Sequence, residues 1–204
     1  MVRIAPKSGA SILSALLFAS ANVSAQQPSP NPSDTTGSVV VDGQPTAYLI
    51  RHLPVNAFPQ LPSAVQNALT RQGCLIPQTY EAHGPENVVH ASLERRGSSD
   101  WAVLCSAGGD VSLLVFFATN YADPITLASV PETEHLQSYG SSKVLGFNWA
   151  IDPASPEEVH EAQLGMSHPP PRLAHDALAD SVIDQRTVYH FYSNNTWTLL
   201  DTQD

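Results

Sequence analysis

The stretch from Asn87 to Ala118 constrains the fold more than any other part of the chain, because its apolar residues recur at every second position across two turns. Val89, Ala91 and Leu93 fall on one side of the first segment, with His90, Ser92 and Glu94 on the other. Trp101, Val103 and Cys105 share one side of the second segment, and Ala102 and Leu104 the other. A repeat of two is that of a strand, whose successive side chains point to opposite faces. Arg96–Asp100 and Ala107-Gly108-Gly109-Asp110 supply the turns, and Val111–Ala118 is a nearly continuous apolar run. Three adjacent antiparallel strands are the simplest account, and the central one holds Cys105.

The chain contains 2 cysteines, Cys74 and Cys105. Its beginning sets the redox compartment expected for them. Arg3 and Lys7 precede the apolar run Ile12–Ala19, and Val23-Ser24-Ala25 offers small residues to a signal peptidase. That is the order of an export leader, read here as residues 1–25 with cleavage after Ala25. The product is expected to be secreted or periplasmic. An isolated cysteine pair in such an oxidising space is expected to be a disulfide, worth about 3–4 kcal/mol in the chain-entropy model. The apolar run falls well short of the ~20 residues a membrane helix needs, so no transmembrane anchor is expected.

Residues 26–45 are rich in Pro, Ser, Gln, Asn and Thr and are read as a flexible spacer, leaving 46–204 as one globular domain. Within it, Thr46–Leu53 is expected as a strand. Ser63–Gln72 is expected as a helix carrying Leu61, Val65 and Leu69 on one side and stopped by Gly73. Asp123–Leu127 is read as the start of a helical turn, and Lys143–Ile151 as a strand. Pro156–Ala162 reads as a helix with Ser155 as its cap. Leu173–Ile183 reads as a short amphipathic helix. Thr187–Tyr192 and Thr196–Leu200 form a hairpin across Ser193-Asn194-Asn195. The fold class expected from these elements is α+β: a small, mainly antiparallel sheet with two or three helices and one disulfide, in a monomer.

Composition narrows the function. With 9 Lys+Arg against 19 Asp+Glu, the net charge is -10. That excludes a basic footprint for nucleic acid or for anionic lipid. Among titratable groups, His160, His168 and His175 cluster in sequence beside Asp176. Three imidazoles and a carboxylate are a set that can hold zinc. No His-Glu-x-x-His spacing accompanies them, so they are read first as surface or capping residues, with no metal or cofactor assigned. No serine lies in Gly-x-Ser-x-Gly. The pairs Glu132/Glu134 and Glu157/Glu161 are read as a solvated loop and a charged helix face. Tyr189, Phe191, Tyr192 and Trp197 crowd the terminal hairpin. They either complete a small core or offer an aromatic face to carbohydrate, peptide or another envelope protein. The expectation is an exported binding or accessory module whose partner is an unidentified protein or envelope component. The alternative is a secreted or periplasmic hydrolase, metal-dependent where the histidines hold zinc, built on His160, His168, His175 and Asp176.

Overall fold

The computed structural model describes residues 33–200 and 202. The leader read at 1–25 and the first part of the spacer lie outside the described residues. The strands are β1 (Thr35–Val41), β2 (Gln44–Pro54), β3 (Leu75–Gln78), β4 (Val88–Ala91), β5 (Asp100–Ala107), β6 (Asp110–Phe116) and β7 (Ile125–Pro131). They continue with β8 (Leu136–Gln137), β9 (Leu145–Phe147), β10 (Trp149–Ala154), β11 (Ala177–Val182), β12 (Arg186–Ser193) and β13 (Thr196–Leu200). Two helices, α1 (Ser63–Arg71) and α2 (Pro156–Ala162), complete the set.

The first nine strands form one sheet in the order β7-β6-β5-β3-β2-β9-β8, with β1 added to β2 and β4 to β5. It is mixed, because β9 runs parallel to β2 while the other pairs are antiparallel. The last four strands form an antiparallel meander, β10-β11-β12-β13. Tight hairpins build much of this order. Asp42-Gly43, Gly108-Gly109 and Asn194-Asn195 all have positive φ at both central positions, the backbone that matches the twist of the flanking strands.

The described residues are therefore mostly β, 46% of them strand and 13% helical, and do not form the small-sheet α+β fold expected. Two segments account for the difference. Leu173–Ile183 holds no helix; its second half is β11, hydrogen-bonded on both sides by β10 and β12. Leu178 is buried between the sheets, whereas Ala177 and Ala179 face the cluster under α2. Two-sided burial of a strand places apolar residues at neighbouring positions, and such a run also fits a helical stripe. Asp123–Leu127 likewise leads into β7. The spacer read at 26–45 is corrected as well, since Thr35–Val41 pairs with β2 along its whole length.

β5 is buried along nearly its whole length because both of its faces are covered. Ala102 and Leu104 join Val111, Leu113 and Val115 of β6 against Trp149, Ile151 and Leu178 of the second sheet. Trp101, Val103 and Cys105 join Leu114 and Phe116 beneath α1, which contributes Val65, Ala68 and Leu69. Those three positions, with Leu61, recur at helical spacing. Gly73, at φ 69°, ends α1, and the Cys74 N–H returns to the Leu69 carbonyl at 3.1 Å. This turn brings Cys74 to Cys105, and the disulfide joins them with Cα atoms 5.3 Å apart. At α2, Ser155 and Glu158 form a reciprocal capping box behind Pro156. No helix among the described residues is long and apolar enough to cross a membrane.

Candidate binding groove

The odd-numbered side chains of β2 share one face of the large sheet. Leu53 packs against the cluster under α1. Arg51 and Leu49 lie beyond the reach of that helix, and there the face opens into two hollows. One, of about 330 Å³, is bounded by Leu49, Arg51, Gln78, Tyr80, Tyr139 and Gly146. The other, of about 340 Å³, is bounded by Asp34, Arg51, Leu53, Gln78, Ala82 and His83. Arg51 and Gln78 line both and are opposite each other in the β2–β3 register. The hollows therefore adjoin at these two side chains, which form a shared wall of the groove region.

Each wall has a local cause. Gln78 is buried, and its amide exchanges bonds with the backbone of Glu86: Nε2 donates to the Glu86 carbonyl at 3.2 Å, and Oε1 accepts from the Glu86 N–H at 3.0 Å. This closes the base of the 79–86 loop. Arg51 Nη2 donates to the carbonyls of Thr79 and Ala82 at 2.7 and 3.2 Å, so the same loop fixes the guanidinium. The remaining N–H groups of Arg51, on Nη1 and Nε, have no protein partner among the described residues. Nor does Arg51 form an ion pair with any of them. Asp34 borders the groove on the other side and accepts the His52 backbone N–H at 3.2 Å.

The far wall is aromatic. Tyr80 and Tyr139 stack with ring centroids 4.6 Å apart and planes 7° from parallel. Gly146 makes room for them: a Cβ there would lie 2.6 Å from Tyr80 Cβ and 2.9 Å from Tyr139 Cε1. The Tyr80 hydroxyl donates to Asp184 Oδ2 at 3.1 Å and accepts from Gln137 Nε2 at 3.3 Å. Gln137 Oε1 in turn accepts from Asn148 at 3.0 Å and from Gln185 at 2.8 Å. Asp184 and Gln185 belong to the turn between β11 and β12, so both sheets hold the stack in place. Burial, followed by the carboxylate of Asp184 and the charge of Glu81, pushes the Tyr80 phenol up to about 12. Tyr139 remains 37% exposed and presents its ring to the groove.

The residues singled out from sequence lie elsewhere. His175 and Asp176 border a separate depression of about 330 Å³ with Ser92, Arg96, Glu157 and Leu173. His175 stacks on Phe191 at 4.6 Å, and Asp176 accepts the Ser92 N–H at 2.9 Å. His160 and His168 do not border that depression. His160 sits in α2 and His168 is exposed in the loop after it. Among the described residues no three His, Cys, Asp or Glu side chains form a metal-binding group. The hairpin aromatics divide between two packing layers and make no common face. Tyr192 and Trp197 pack with Phe117 on the inter-sheet core, while Tyr189 and Phe191 pack under α2.

The structure also gathers a buried trio that sequence spacing does not reveal. Glu132 Oε1 accepts from Ser106 Oγ and meets His52 Nε2 at 2.8 Å, with all three residues at most 6% exposed. Its order is wrong for nucleophilic catalysis. The imidazole must stand between hydroxyl and carboxylate to take the hydroxyl proton, and here the carboxylate stands in the middle. The trio ties β2 and β5 to the 3-10 turn after β7. The groove residues carry no sequence signal that gathers them either: Arg51, Tyr80 and Tyr139 lie far apart in the chain and belong to no motif.

The class this describes is a disulfide-linked protein of two packed β-sheets with an open polar-aromatic groove on one outer face. No protein-family model matches the chain, and neither does any curated protein or solved structure.

Proposed function

We propose that this protein is an exported, non-enzymatic accessory module that binds carbohydrate of the cell envelope in the groove between Arg51 and the Tyr80–Tyr139 stack. The observation that carries the reading is the stack itself, seated on Gly146 beside a guanidinium pinned by two carbonyls. A pyranose offers C–H bonds on its faces and hydroxyls around its edge. An aromatic ring takes the first, and planar donors with nearby acceptors take the second. Concave sites with one apolar wall and a few fixed polar groups are the usual form of small-ligand sites.

The test is titration calorimetry of the purified protein against a panel of envelope oligosaccharides, repeated with Tyr139→Ala. Saturable binding is expected, weakened at least tenfold in the variant, with the saccharide recovered intact. Absence of binding across the panel, or unchanged binding by Tyr139→Ala, overturns the proposal. Recovery of cleaved saccharide would favour the hydrolase instead.

A further inference from the structure

We infer that acid empties this groove, with His135 as the trigger: protonation drives its imidazole off Trp149 and takes β8 and Tyr139 with it. The inference rests on the carbohydrate reading and adds the regulation of the same site. His135 stands four residues before Tyr139, between the 3-10 turn Glu132–Glu134 and β8. It is half-buried. Its ring stacks on the Trp149 indole, with centroids 4.3 Å apart and planes 20° from parallel, and lies tilted against Phe147 at 6.1 Å.

Little else holds the segment between that ring and the groove. β8 has two residues, ends its sheet, and among the described residues pairs with β9 alone. One more bond extends the pairing at His135, whose carbonyl accepts the Asn148 N–H at 3.0 Å. Beyond it, Leu136 packs on the inter-sheet core and Gln137 Nε2 donates to the Tyr80 hydroxyl at 3.3 Å. Tyr139 then lies on Tyr80. The His135 ring thus anchors one end of a short edge segment whose other end is the aromatic wall.

Charge decides when the anchor holds. An imidazolium here has lost water from the faces covered by Trp149 and Phe147. The groups that face it are Asp180 on β11, Glu134 in the turn, the Asn148 amide and Arg186 on β12. Asp180 is already engaged, since Oδ1 accepts from Trp149 Nε1 at 2.6 Å and Oδ2 meets His190 Nε2 at 2.9 Å. Glu134 is exposed, Arg186 repels, and Glu132 is turned to His52 and Ser106. Burial therefore prevails over the two carboxylates and the Asn148 bond, and holds His135 below its ordinary value of 6.5. The fold prefers the neutral ring. Its contribution is fully present above pH 6.5 and is lost as pH falls through the lower folded value.

The stack itself gives the first reading, without ligand. Near-ultraviolet circular dichroism of the purified protein, taken as the difference from Tyr139→Ala, is recorded from about pH 8 to about pH 4.5. The tyrosine signal is expected to collapse below pH 6.5 while the far-ultraviolet spectrum holds, and the ring-proton resonances of His135 should titrate at the same midpoint. His135→Phe keeps a ring on Trp149 that cannot charge, and should hold the signal to the acid end. His190→Gln should leave the transition in place. Calorimetry with neutral members of the oligosaccharide panel should give affinity at least tenfold weaker at about pH 5 than at about pH 7.5, and equal at both for His135→Phe. A tyrosine signal insensitive to acid overturns the inference whether or not sugar binds, because the imidazolium then stays on the indole as a cation–π pair. A transition that survives His135→Phe overturns it too. Where that variant fails to fold, a His135 midpoint apart from that of the stack does the same. A stack that opens in acid with no sugar bound at either pH upholds the switch and defeats only the carbohydrate reading.

Discussion

Two ends of one sheet face behave in opposite ways. Under α1 the inward residues are Val103, Cys105, Leu114 and Phe116, closed over by Val65, Ala68 and Leu69 and fastened by the disulfide. Further along β2 the same face carries Arg51, with Gln78 opposite it, and lies open. The backbone pairing is regular at both ends, so geometry alone does not separate them. The helix does. With nine residues, α1 is about 13 Å long, and Gly73 turns the chain back before the helix can cover the rest of the sheet. Where the covering helix stops, the face must be finished with groups that tolerate water. Here they are held in place by a pinned loop and a stacked tyrosine pair, and have not been left as mobile surface side chains.

If the closed end supplies most of the stability and the open end most of the function, damage to the two should differ in kind. The largest effect is expected for Trp101→Ala. Trp101 is buried beneath α1 and stacked on His90 at 4.4 Å, and truncating a buried aromatic of this size typically costs about 3–5 kcal/mol. A denaturant melt measures it, while the remaining folded protein should still bind saccharide with unchanged affinity. A loss below ~1 kcal/mol would mean that the closed end is not the anchor of the sheet.

A smaller effect on stability and a larger one on binding are expected for Gly146→Ala. The added methyl would sit 2.6 Å from Tyr80 Cβ and 2.9 Å from Tyr139 Cε1, so the stack must part or the strand shift. Overpacking of this kind usually costs about 1–3 kcal/mol. Near-ultraviolet circular dichroism should change as the tyrosine pair opens, and saccharide affinity should fall with it. Intact affinity together with a displaced stack would remove the aromatic wall from the site.

What was readable in the chain follows the same division. The closed end was legible because its information is local. The alternation from Val89 to Val115, the helical spacing of Leu61, Val65 and Leu69, and the Gly73 stop each lie within a few residues. The cysteine pair then joins two elements already identified. β11 was misread because a strand buried on both faces loses its alternation, and Ala177-Leu178-Ala179 fits either period. β1 was missed because Thr35–Val41 follows a polar stretch, although Asp42-Gly43 between it and β2 is a strong hairpin signal. The groove was not legible at all. Arg51, Tyr80 and Tyr139 meet only through β2–β3 pairing, the parallel β2–β9 contact and a loop beyond β8, and no motif spans such distances. His160, His168 and His175 show the converse, since nearness in sequence placed only His175 beside Asp176 in a depression.

The subtlest expected effect lies in the titration of Tyr80, which reports whether the stack is tied to the second sheet as the hydrogen bonds indicate. Its phenol is pushed up to about 12, first by burial and then by the carboxylate of Asp184, which accepts its hydrogen bond. The folded value lies above the unfolded value of 10.0. The neutral phenol is therefore the form the fold prefers. Its contribution is fully present below pH 10 and is lost as pH rises through about 12, because the unfolded chain releases this proton first. Phenolate absorbance recorded for the protein and for Tyr80→Phe isolates the residue by difference. The difference curve should be centred near 12, and Asp184→Asn should move it down toward 10 by removing the charge. A difference curve already centred near 10 in the unmodified protein would detach Tyr80 from Asp184. The groove would then be bounded by a surface tyrosine free to turn away, and the contrast between a rigid closed end and a preorganised open end would fail at its weaker member.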